Sequence, residues 1–458
     1  MCNFNYREYI KYSLFSILIL YGQFIPYINI VITLLVFFIL IYGTIHKKQF
    51  ILIPILGLSF IHGESSISIY TFKIGGLSLL YVYIAIAFIL SLFQRKKLHR
   101  YELIFFVLFI TYLIYSILSG NALSGEYFIN DVMFILIAFL FLFSFRWLNN
   151  INYDLIFLSL SSGYFISKIL VLITGIGLEV TNYTSVIVQK NALFDPVEYF
   201  LILYCIHSFF YPLTKNVRLV SFLNLLLFSF GSILLGYVHG GAMVMIFVSL
   251  IYCLIRNIKY LLILSGVLIF ILTSLTLPSI NNDSNDSVLS YKLQKVTGLA
   301  EFMFDDNFGV YSLPRSTQVR VIETLNLLDQ PLPYIMLGKG FGGYLEQSKY
   351  YYGRYLNKDD YSEDQIRSKK FYVLHSINQL LLKHGVIFIA LIVLMGMKMR
   401  KRINKNYVDV SIIFILFSYA FTIKPYLILS LFLISFIYYL GIKKTENTVH
   451  HETKNISN

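Results

Sequence analysis

The residues whose types suit chemistry crowd into one polar stretch. Arg315 and Arg320 stand in "RSTQVRVIETL", four glycines in "GKGFGG" at 338–343, and His375 heads "HSINQLLLKHG". A helix from about Ser316, just after Pro314, carries Arg320 on its first or second turn with Arg315 immediately before it. Two readings of the arginines stand. Guanidinium forks suit a phosphate or pyrophosphate, or Arg320 pairs with Glu323 at i+3 on an exposed helix. Ser376 followed by Gln379 has the form of a capping box. That places His375 just outside a helix N-terminus, where an anion is favoured and an imidazole can act as acid or base; an interfacial histidine without a role fits equally. Gly340 and Gly342 let the backbone turn sharply and approach a ligand, although a tight turn re-aiming the chain towards a membrane accounts for the cluster better than a nucleotide loop.

Further candidates are polar residues in or near apolar runs, where polar groups are expensive. They are Lys168, Lys190, Glu198, His207 and His239. His239, Lys190 and Glu198 rank first as substrate-binding groups, because they fall towards the same face as the polar stretch. The sequence carries no HExxH, D-x-D, Walker or CxxC motif, and Cys2, Cys205 and Cys253 are scattered. No metal and no cofactor is expected.

The elements that must position these residues are apolar. Hydrophobic residues make up 57% of 458 and charged ones 13%, and the apolar runs approach the roughly 20 residues needed to span a bilayer. The expected fold is an all-α polytopic membrane protein with 12 to 14 transmembrane helices, the first run being a retained helix. The net charge of +13 does not imply nucleic acid. Lysines and arginines gather in alternate short links such as "QRKKLHR" and "KMRKRINK", as the positive-inside rule requires. Both termini are then cytoplasmic. The segments are 1–278, an N-terminal transmembrane bundle; 279–375, a large external subdomain; 376–442, C-terminal transmembrane helices; and 443–458, a disordered tail. The subdomain holds 23 charged residues in 97, against 38 in the other 361, which sets it apart from hydrocarbon. Val321, Leu325 and Leu328 recur at helical spacing, Pro331 and Pro333 end that helix, and 350–370 reads as solvated and mobile.

These residues resemble a family, the bacterial O-antigen polymerases and O-antigen ligases. The likeness lies in an arginine opening a loop helix, the "PLPYIMLGKGFGG" segment, and the histidine-led helix ending in glycine. It covers about 70 residues directly. The resemblance implies a metal-independent glycosyltransferase of the inner membrane, acting at the periplasmic face on undecaprenyl-diphosphate-linked glycans. Arg320 and Arg315 would stabilise the departing pyrophosphate and His375 would be the base. Where the family often reads serine-arginine-glycine, this chain has Gly240, with His239 as a substitute; Lys190 and Asn191 occupy its earlier external loop. The implied partners are the lipid-linked oligosaccharide, the membrane, and a chain-length regulator and flippase of the same pathway. A ligase acting on lipid A core and a polysaccharide-unit flippase are the alternatives. The large insert and the lack of an internal repeat weigh against the flippase.

Overall fold

The computed structural model describes residues 4–54, 67–93, 100–136, 152–235, 309–350, 361–387 and 390, with breaks of one to three residues inside these ranges. The chain divides into two compact units.

The first unit contains helices α1 (Tyr6–Gly22), α2 (Ile28–Ile45), α3 (Leu79–Phe93), α6 (Tyr153–Thr174), α7 (Asp195–Phe210) and α8 (Lys215–Leu235). α6 is its centre and packs along α1, α7 and α8. Asn152 caps it, accepting from Leu155 N–H, and Gly175 ends it with a left-handed φ of +70°. Small residues set the spacing: a Cβ on Gly163 would fall 2.2 Å from Ser16 Cβ, so α1 and α6 approach backbone to backbone, the packing that apolar surroundings favour. Several buried hydroxyls find partners across the bundle. Tyr9 bonds Ser162, Ser162 Oγ donates to Asn224 Oδ1, and Tyr204 donates to Asp154.

The second unit contains α4 (Arg100–Leu118), α5 (residues 126–133), α9 (Arg315–Leu328), α10 (Leu332–Leu337), α11 (Glu363–Ser368) and α12 (residues 378–387). It has an apolar core of its own, built on Val319, Ile322, Leu327, Leu345, Phe371 and Leu382.

The described residues are mostly helical, but three two-stranded antiparallel pairings qualify the all-α expectation. These are β1 (Lys73–Ile74) with β2 (Leu77–Ser78), β3 (Leu178–Tyr183) with β4 (Val186–Asn191), and β5 (Leu345–Glu346) with β6 (Lys370–Phe371). The segment 176–195, expected as a link, is largely the second hairpin.

Among the described residues, α2 and α6 are long and apolar enough to cross a bilayer, with mean hydropathies of 2.5 and 1.9, and 106–118 and 200–210 are shorter apolar helices. Twelve to fourteen crossings therefore do not emerge from the described helices. Hairpin β1–β2 takes the start of the run expected as one helix from 74 to 93, leaving α3 with 15 residues. The runs 242–255, 260–278, 407–423 and 426–441 lie outside the described residues.

The helix expected from the spacing of Val321, Leu325 and Leu328 forms as α9. Its covered face carries Val319, Ile322 and Leu327; Val321 and Leu325 are partly buried and Leu328 is 60% exposed. Of 350–370, Tyr350 and residues 361–370 are described; most of 361–370 is exposed, as a solvated stretch should be, but it holds a helical turn, α11. Tyr361 and Gln365 are buried, and Ser362 caps α11 by accepting from Gln365 N–H. Residues 351–360 lie outside the description.

Candidate active site

α9 begins at Arg315, one residue earlier than the sequence pattern places it, and runs 14 residues. Its third turn brings Glu323 into the interior, where the carboxylate is 0% exposed. The bland reading of Arg320, a surface pair with Glu323, fails on this point: the face that carries Glu323 is covered.

Four donors converge on that carboxylate. The backbone N–H of His375 reaches both oxygens, at 3.1 and 2.9 Å; Nδ1 of the same residue lies 2.8 Å from Oε1; Asn378 Nδ2 donates to Oε2 at 3.0 Å; and the Tyr361 hydroxyl donates to Oε1. Backbone and amide N–H groups can only donate, so their natural partner is an acceptor-only carboxylate. The imidazole is mostly covered, at 18% exposure, and meets Tyr361 edge to face at 5.7 Å between ring centres.

Asn378 locks this contact to the turn that carries Arg320. Its Nδ2 also donates to the Arg320 carbonyl at 3.0 Å, and its Oδ1 accepts from Thr324 Oγ1 at 3.0 Å. The two ends of the polar stretch, 52 residues apart at Glu323 and His375, are thus joined. Gln379 reaches further back than a capping box requires, accepting from Leu374 N–H at 2.7 Å. Arg315 opens α9, and its side chain is not described.

The closing of the stretch rests on other contacts. β5 pairs with β6 in the register Leu345↔Phe371 and Glu346↔Lys370, and Asn326 bonds both Ser348 and the backbone of Tyr350.

The glycine segment does a different job. Lys339 and Gly340 donate their N–H groups to the carbonyls of Leu382 and Lys383 at 2.7 and 3.1 Å. The next amides, of Phe341 and Gly342, donate to Ser116 Oγ at 2.9 Å and Asp131 Oδ2 at 2.8 Å. The amides of Gly340 and Gly342 are therefore committed to protein acceptors, and both residues are buried.

A small apolar groove runs between α9, α10 and α12, lined by Leu327, Leu328, Tyr334, Leu381 and Val386, with Thr324 and Lys339 on its wall. Thr324 is also the residue that bonds Asn378, so the groove starts one turn along α9 from Arg320. The Lys339 ammonium lies 5.2 and 5.7 Å from the ring centres of Tyr334 and Tyr344, and burial lowers its pKa. Lys370, over the other ring contact of Tyr344 at 4.7 Å, is shifted upward by a hydrogen bond to Tyr344.

The remaining candidates lie elsewhere. Lys190 is in β4, where its Cα pairs with that of Glu179, and Glu198 is in the first turn of α7. Both belong to the first unit. His239 falls outside the described residues. Lys168 is buried in α6 with its ammonium 5.9 Å from the ring centre of Phe228, and His207 is buried in α7. Sequence reasoning missed Glu323, Asn378 and Tyr361. The signal available for them was weak: a glutamate three residues after Arg320 looks like a surface residue until its distant partners are known. Among the described residues, no group of three or more metal-ligating side chains occurs.

Compared with known proteins, the chain matches no protein-family model and no curated protein.

Proposed function

We propose that the chain is a membrane-embedded glycosyltransferase that uses a polyprenyl-diphosphate-linked oligosaccharide as donor, and that it acts as a polymerase of surface-polysaccharide repeat units. The observation that carries this reading is the junction at Glu323 and Asn378, which holds His375 against the helical turn bearing Arg320. A base and a guanidinium are the two groups that such a transfer needs. As the bond between the anomeric carbon and the pyrophosphate oxygen breaks, charge gathers on the leaving group, and a guanidinium aimed at it stabilises the transition state. His375 takes the proton of the acceptor hydroxyl as that oxygen bonds the anomeric carbon.

The apolar groove beginning beside Thr324, with Lys339 on its wall, offers a hydrocarbon lining next to a cation, which suits an isoprenoid diphosphate. Arg315 is the nearby second cation of the reading. Gly340 and Gly342 enter it as positioning elements. In this reading the chain is a polytopic protein of the bacterial inner membrane with 12 to 14 crossings and cytoplasmic termini, working beside a flippase and a chain-length regulator.

The test is to replace Arg320 or His375 with alanine in a strain whose surface polysaccharide depends on this chain. Single repeat units on an otherwise normal lipid core are expected. Normal chain lengths would remove both residues from the mechanism. Long lipid-linked polymer with unmodified core would mark a ligase, and repeat units trapped on the inner leaflet a flippase.

A further inference from the structure

We infer that Glu323 is a positioning residue for the reaction, fixing His375 in the tautomer with Nδ1 protonated and leaving the Nε2 lone pair to take the proton of an acceptor hydroxyl. The inference rests on the glycosyl-transfer reading but adds a residue and an atom to it.

A buried glutamate is costly unless it is paired and hydrogen-bonded. Glu323 is surrounded by donors from two other chain segments: residue 361 supplies a phenol, and residues 375 and 378 a main-chain amide, an imidazole and a carboxamide. The main-chain N–H and the Nδ1 of His375 reach the same carboxylate, so backbone and ring of one residue are clamped together and ring rotation is restrained. With the carboxylate accepting at Nδ1, the neutral ring carries its hydrogen there and Nε2 is bare. The choice of protonated nitrogen is set by the bond the other ring atom makes.

The step then balances. The acceptor oxygen bonds the anomeric carbon while the carbon–oxygen bond to the diphosphate breaks, its electron pair leaving with the diphosphate. The hydroxyl proton passes to Nε2, and the imidazolium later returns it to water. Glu323 does not change protonation; it steadies the cation that forms and touches no reacting atom. Asn378, anchored to the Arg320 carbonyl and to Thr324, keeps the carboxylate aimed at the ring.

The experiment has two parts. Histidine-¹⁵N-labelled full-length protein in detergent micelles is compared with a His375→Ala sample, so that the His375 resonances are picked out from those of the nine histidines. The neutral ring of the wild type is expected to show a protonated Nδ1 and an unprotonated Nε2; the opposite tautomer, or a freely exchanging mixture, overturns the inference whatever the activity.

In liposomes supplied with a lipid-diphosphate oligosaccharide, Glu323→Gln is expected to lose about 10² to 10⁴-fold in kcat, the range general-base catalysis supplies, with KM within about twofold. Glu323→Asp should recover part of that loss. Wild-type turnover in Glu323→Gln would overturn the inference alone, provided His375→Ala is inactive. Full activity in His375→Ala would instead sink the proposed base.

Discussion

Lys383 Nζ lies 2.8 Å from Asp131 Oδ2 and 2.6 Å from the Gly343 carbonyl, with the lysine 3% exposed. α12 is thereby tied to α5 and to the end of the glycine segment, since the same Asp131 oxygen accepts from Gly342 N–H. Breaking a buried pair leaves an uncompensated charge and typically costs about 3–5 kcal/mol, whereas replacing both partners is far milder. Asp131→Ala or Lys383→Ala should each lower the apparent unfolding midpoint sharply. The double variant Asp131→Asn with Lys383→Met should regain most of the loss, because Asp131→Asn preserves an acceptor for the Gly342 amide. Thermal unfolding of the two single variants and of the double variant in detergent checks this.

Gly338 and Gly385 meet backbone to backbone. Both have left-handed φ values, +77° and +69°, and a Cβ on either would lie 2.3 Å from a carbonyl oxygen of the other's segment. Alanine at either position adds the left-handed strain, about 1–2 kcal/mol, to an overpacking cost of about 1–3 kcal/mol. Gly338→Ala and Gly385→Ala should each destabilise the protein by more than an alanine placed at exposed Gly125, around which nothing lies within 4 Å despite its own positive φ. Thermal melts of the three variants rank them.

The two lysines beside Tyr344 are shifted in opposite directions. Burial disfavours the Lys339 ammonium and lowers its pKa, with Glu346 opposing; the hydrogen bond to Tyr344 raises that of Lys370. At a given alkaline pH a larger share of Lys339 is the free amine, the form that acylates. The rate of modification by an activated ester should therefore reach half its plateau at lower pH for Lys339 than for Lys370. Peptide mass spectrometry across a pH series measures both, and comparing half-plateau points removes any difference in access.

Tyr361 is 2% exposed and gives its hydroxyl to Glu323. A hydrogen bond to a charged group contributes about 1.5–3 kcal/mol. Tyr361→Phe keeps the ring that packs on Phe371 at 4.8 Å, so its loss of stability should stay within that range. A larger fall would mean that the phenol has a role beyond this bond.

The sequence placed the start of α9 to within a residue, marked Arg320 and His375, and put a turn at the glycines. These are local properties: a proline before a helix, a polar stretch in an apolar chain, glycines where φ must be positive. It left the covered face of α9 open, because spacing along a helix says which residues share a face and not which face a distant segment will cover. The stretch 350–370 read as solvated, and most of 361–370 is exposed; the burial of Tyr361 and Gln365 within it was not legible, because their partners Glu323 and Tyr372 lie outside that stretch.

By itself, then, the sequence determined that this is a mostly helical, strongly apolar chain with one polar region carrying arginines and a histidine, since composition and periodicity are summed along the chain. Only the tertiary structure decided that Glu323 is an interior residue joined to His375, and that the amides of Gly340, Phe341 and Gly342 serve Lys383, Ser116 and Asp131. The physical reason is that a buried carboxylate survives only where donors converge on it, and those donors come from residues 38 and 52 positions away, which no local pattern brings together.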